Sequence, residues 1–227
     1  MPAILALLVI IPVEPVPQPG PLLLSGDHPL PGIDMERVAD AVETAMELPG
    51  VRLGIAVADL GSGDTFVRGD GGPFDAGGVG LVAAAMLASA ESAGATGDSM
   101  PFGTAEIERW LESEGPGSTF LSSSDASATV ITTPGDALEL LSMLAHGLGN
   151  PCLREEVASP LAGTSLEDIV VLDTFTYGIV ERREGSASFA IVALMPDGRM
   201  AGIVVLADML CCPEKADLAF RLVWESL

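Results

Sequence analysis

Strand-like sequence occurs in two blocks at opposite ends of this chain, and that split limits its possible folds more than any other feature. Near the start, Val51 to Leu60 reads as a buried strand. Gly61-Ser-Gly-Asp64 has the composition of a hairpin turn, and Thr65 to Arg68 supplies a short partner. Near the end, Phe175 to Val180, Ser188 to Met195 and Met200 to Met209 alternate or run apolar, with Pro196-Asp-Gly-Arg199 as a tight turn. Helical patterns bracket the blocks. Asp34 can cap a helix from Met35 to Leu48, with Val38, Ala41, Val42, Ala45 and Met46 on one face and Pro49-Gly50 ending it. Pro213 opens a last helix to the C-terminus, with Leu218, Leu222 and Val223 expected to face inward. The order helix, two strands, helices, three strands, helix predicts one α+β domain. Its five-stranded antiparallel sheet draws strands from both ends of the chain, and the first and last helices lie side by side on one face.

The interval between the blocks reads as helix and loop. A glycine-rich loop, Gly69 to Gly80, leads into Leu81 to Ala93, a stretch apolar nearly all round and so expected to be a central buried helix. A further helix begins at Gly103 or Thr104 and runs through Glu114, carrying Trp110 and Leu111. Ser118 to Thr133 reads as a polar loop. Pro134 then sits at the first position of a helix capped by Thr133 and reaching about His146. Ahead of the domain, Ala3 to Ile11 is an apolar run, far short of the about 20 residues that span a bilayer. As the core of a signal peptide it lacks a preceding Lys or Arg and a small-x-small cleavage site. The proline-rich stretch from Pro12 to Gly20 follows as an extended linker. We therefore expect an arm over residues 1–33 and a domain over 34–227.

Composition removes several function classes. The 227 residues are 48% hydrophobic, enough for a real core. Ten Lys and Arg against 32 Asp and Glu give a net charge of −22. Such a surface repels phosphate backbones and anionic lipid, so no nucleic-acid partner is expected, and no membrane span. Lys215 is the single lysine, so any mechanism that needs two is excluded. The histidines are His28 and His146; the cysteines are Cys152, Cys211 and Cys212. An odd, partly vicinal cysteine set is not a disulfide framework, and the spacing from His146 to Cys152 fits no familiar ligand pattern. No metal and no cofactor are expected.

The layout resembles the serine β-lactamase and penicillin-binding-protein superfamily, most closely the class A β-lactamase type. Val51-Arg-Leu-Gly-Ile-Ala-Val-Ala-Asp-Leu-Gly-Ser-Gly63 is similar to that family's first hairpin. Phe74-Asp-Ala-Gly-Gly-Val-Gly-Leu-Val-Ala-Ala-Ala-Met-Leu87 resembles the stretch leading into its central helix. Thr132-Thr-Pro-Gly-Asp-Ala-Leu-Glu-Leu-Leu141 resembles its Thr-Thr-Pro helix opening, the most specific match. Ser188 to Leu206 resembles its last hairpin. The resemblance covers roughly residues 34 to 227, with gaps. It implies a β-lactamase-like α+β fold, here with a reduced helical subdomain over about residues 77–165, and it suggests an envelope or exported protein.

The family's chemistry is missing from the matching positions. The resemblance implies Ser-x-x-Lys at the start of the central helix, where one turn sets the amine beside the serine hydroxyl that it activates. Gly77 and Gly80 stand there in this chain. The Ser-Asp-Asn segment would fall between the central helix and the Trp110 helix, where only Ala95-Thr-Gly-Asp-Ser-Met100 remains. Ser124-Asp125-Ala126 imitates that motif too late in the order, and Ser118 to Thr133 contains no Glu to serve as the class A general base, only Asp125. Lys-Thr-Gly before the final hairpin is replaced by Asp173-Thr174-Phe175, an anion where the family holds a substrate carboxylate with a cation.

These residues make a catalytically inactive β-lactamase-like protein the leading expectation: a binding or structural module rather than an enzyme. Its partner would be an unidentified protein or a second copy reached through the N-terminal arm. The alternative is a serine hydrolase of the same fold with a non-standard nucleophile, such as a serine from residues 122–127. The glycines at 77, 78 and 80 read either as a backbone opened for close ligand approach or as tight helix packing without a ligand.

Overall fold

The computed structural model describes residues 32–69, 72–76, 104–113, 115–124, 127–147, 175–208 and 214–227. Strand β1 (Arg52–Asp59) forms at the centre of the larger sheet, because both faces of its apolar run are covered. Leu53, Ile55 and Val57 point to one side; Gly54, Ala56 and Ala58 point to the other. β1 pairs antiparallel with β2 (Thr65–Gly69) through a turn in which the Asp59 and Asp64 backbones bond and Gly63 takes φ +84°. It also pairs with β8 (Met200–Asp208), the sheet running β2-β1-β8-β7-β6 with β6 (Phe175–Arg183) and β7 (Ser186–Leu194). The Met195 N–H bonds the Arg199 carbonyl across the predicted turn before β8, at 2.8 Å. Two strands from the first block and three from the second form one five-stranded antiparallel sheet, as the chain order requires.

One face of this sheet takes both end helices. Helix α1 (Met35–Met46) is capped by Asp34, whose carboxylate accepts from the Arg37 N–H, and it buries Val38, Val42 and Ala45. Helix α4 (Glu214–Trp224) packs beside it, the Arg37 guanidinium donating to the Glu225 carbonyl at 2.6 Å. Between them and the sheet lie Ile55, Phe189, Ile191, Ile203, Val205 and Phe220. The inward face of α4 differs from the expected one. Ala216, Ala219, Phe220 and Val223 are buried, whereas Leu218 is 41% exposed. The reason is aromatic: Phe220 stacks on Phe189 at 5.1 Å and lies 5.9 Å from Trp224, and seating that ring turns Leu218 outward.

The opposite face carries helix α3 (Pro134–Gly147), with Leu138 and Leu141 against Ala56, Val192, Val204 and Leu206. Thr133 caps it as expected, its hydroxyl accepting from the Asp136 N–H at 3.2 Å. Beside it a second sheet of three strands runs β3 (Phe74–Asp75), β5 (Ser127–Thr132), β4 (Phe120–Ser124). The segment read as a polar loop, Ser118 to Thr133, is therefore a β-hairpin. Its serines conceal the strand pattern, and the sheet closes only because Val130 and Leu121 pack against Ile107, Trp110 and Leu111 of helix α2 (Thr104–Ser113). The expected central helix, Leu81 to Ala93, lies outside the described residues, as does most of the arm over residues 1–33.

The acidic excess has a measurable consequence. Arg52–Asp208, Arg68–Glu43, Arg182–Asp217 and Arg199–Asp197 are paired, but ten cations cannot offset 32 carboxylates. Salt weakens those pairs and the general repulsion together, and repulsion dominates at a net charge of −22. The melting temperature is expected to rise as salt goes from about 0.01 M to about 1 M, where the Debye length falls from about 30 Å to about 3 Å. A flat or falling melting temperature in scanning calorimetry would show that the carboxylates are too dispersed to repel.

Candidate functional site

The site to which the motifs point lies where β3 ends and the chain runs on into residue 77. β3 is held from three sides. Phe74 and Asp75 pair with Thr132 and Ile131 of β5, and the Ala76 N–H continues the ladder to the Val130 carbonyl at 2.9 Å. From the larger sheet, the buried Ser188 hydroxyl of β7 donates to the Ala76 carbonyl at 3.1 Å. Ahead of the strand, Arg52 donates to the Pro73 carbonyl at 2.9 Å while its guanidinium lies over the Phe74 ring at 3.9 Å and its Nε bonds Asp208 at 2.7 Å. Ala76 is thus fixed against the α3 side of the sheet.

The pairing register shows which part of β6 comes to this place. Ser188 pairs with Glu181, and Ser186 with Arg183. Glu181 is the sixth residue beyond Phe175, about 20 Å along the strand at the usual rise. The cluster beside Ala76 is therefore built from Asp75, Glu181, Arg183 and Thr129. The Arg183 Nε donates to Glu181 at 2.6 Å, its Nη1 lies 3.9 Å from the Asp75 carboxylate, and the Thr129 hydroxyl donates to Asp75. Two carboxylates around one guanidinium leave the cluster with a net charge of −1. A carboxylate-bearing ligand meets repulsion there rather than a cation. The sequence did not mark these residues because their proximity depends on strand register, which residue spacing does not reveal.

Several candidates from the sequence are not placed. Gly77, Gly80, Asp173 and Thr174 lie outside the described residues, as do His28, Cys152, Asp125, Cys211 and Cys212. His146 falls in the last turn of α3. Ser122 is an exposed residue of β4, and Ser124 pairs with Ser127 at the hairpin's end. At the start of α3, the Thr119 and Thr132 hydroxyls share a buried 2.7 Å hydrogen bond, and the Asp136 carboxylate accepts from the Ser118 N–H at 2.7 Å. This network ties the hairpin to the helix cap; its hydroxyls have no histidine or lysine beside them among the described residues.

Lys215 sits on α4, where its amine donates to the Pro49 carbonyl at the end of α1. That places it on the face of the sheet holding α1 and α4, opposite the face that holds Phe74 and Ala76. Among the described residues, no three His, Cys, Asp or Glu side chains are grouped to hold a metal ion. No helix among them is long and apolar enough to cross a membrane.

This architecture is the β-lactamase-like fold shared by serine β-lactamases and penicillin-binding proteins. The chain matches a β-lactamase from Sphaerobacter thermophilus with a TM-score of 0.67 and 14% identity, over 86% of this chain and 96% of the other. It matches the penicillin-binding protein PBP-A with a TM-score of 0.67 and 14% identity, over 87% and 98%. A serine-to-glycine variant of the extended-spectrum β-lactamase TLA-1 superposes with a TM-score of 0.69 at 9% identity, over 84% and 98%. No protein-family model and no curated protein matches the sequence.

Proposed function

We propose that this chain is a catalytically inactive protein of the β-lactamase-like fold that works as a binding or structural module. The observation that carries this reading is the lysine. The resemblance calls for two lysine amines, one to activate a serine and one to hold a substrate carboxylate, and the chain has one. That one is bonded to Pro49 on the far face of the sheet. The argument does not depend on alignment register: Phe74 to Ala88 contains no Ser, Thr, Cys or Lys, and Asp173 to Arg183 contains no Lys. Acyl transfer needs a nucleophile, a base and oxyanion donors together, and losing the first two removes the covalent step. The apolar arm over residues 1–33 is the segment we assign to contact with a partner protein or a second copy.

The full chain is expected to remain unlabelled by a fluorescent penicillin under conditions that saturate PBP-A, whose acyl-enzyme complex with penicillin G is known. A fluorophosphonate probe, which reports any activated serine, is expected to give no mass increase either. Stoichiometric labelling by either probe would overturn the reading, and the modified residue would identify the nucleophile of a serine hydrolase.

A further inference from the structure

We draw no further inference here: the strongest candidate, the half-exposed Asp75–Arg183–Glu181 charge cluster where β3 ends beside β6, belongs to the site already described, and nothing in the structure shows what would bind to it.

Discussion

Replacing Asp59 by alanine is expected to cost about 2–4 kcal/mol, since hydrogen bonds to a charged acceptor are worth about 1.5–3 kcal/mol each and only part of that is recovered from water. Asp59 ends β1, 4% exposed. One carboxylate oxygen accepts from the Ile33 N–H at 2.8 Å; the other accepts from Gly61 at 2.8 Å and Ser62 at 3.1 Å. Gly61 and Ser62 are exposed and can turn to solvent, whereas Ile33 is buried and its N–H would be stranded. At about 2–4 °C per kcal/mol for a chain of this size, the melting temperature should fall by about 4–16 °C. Asp59→Asn keeps the shape but turns an amide donor toward one of these N–H groups, so it should lie between wild type and alanine.

The same carboxylate predicts a pH dependence. Burial raises its pKa, but the N–H donors from Ile33, Ser62 and Gly61 outweigh burial and hold it below the usual aspartate value. A carboxyl with a depressed folded-state pKa contributes stability that is fully present above its unfolded value, about 3.9, and is lost as pH falls through the folded value. The stability gap between wild type and Asp59→Asn should therefore be widest above about pH 5 and shrink in acid. Taking the difference from the variant removes the opposing gain from neutralising the other carboxylates. Urea denaturation at pH 7 and pH 3.5 checks this; a gap that stays constant or widens in acid would contradict the role given to Asp59.

Gly54→Val is expected to be the other severe substitution. A Cβ at Gly54 would lie 2.4 Å from the Pro134 Cγ and 2.7 Å and 2.9 Å from the Phe74 ring. Phe74 is 1% exposed, boxed in by Arg52 and α3, and cannot swing away. Overpacking of a tight core costs about 1–3 kcal/mol, and valine's branched Cβ should place this site at or above the upper end, with Gly54→Ala near the middle. The damage would also spread, because Pro134 opens α3 and Phe74 leads to Ala76. Gly135→Ala is the control: the nearest atom to its added Cβ is 3.9 Å away, so stability should change by no more than about 1 kcal/mol in either direction. Equal melting temperatures for the variants at 54 and 135 would show that the close approach of β1, β3 and α3 is not a constraint.

Much of this architecture is legible from local chemistry. Asp34 and Thr133 cap their helices with their own side chains, so those starts need no tertiary information. The Gly-containing turns at 61–64 and 196–199 position β1 against β2 and β7 against β8 for the same reason. Where local signals were weak, the reading failed in identifiable ways. Phe120–Ser124 is strand because its hairpin partner and helix α2 complete the small sheet, although its own residues are mostly serine. Leu218 is outward because Phe220 takes the space against Phe189.

The candidate site divides along the same line. That the chain has a single lysine, and glycines at 77 and 80 where a nucleophile and base would stand, is a matter of sequence, and it supports the loss of acyl chemistry by count alone. Where that lysine lies, and that Glu181 and Arg183 come beside Asp75, follow from the pairing of β6 with β7 and from helix packing on opposite faces of the sheet. Caps and turns are made by residues a few positions apart, so the sequence states them directly. Register and facing are set by contacts between residues more than a hundred positions apart, such as Ser188 and Ala76, and one residue of slip would reverse every side chain on a strand.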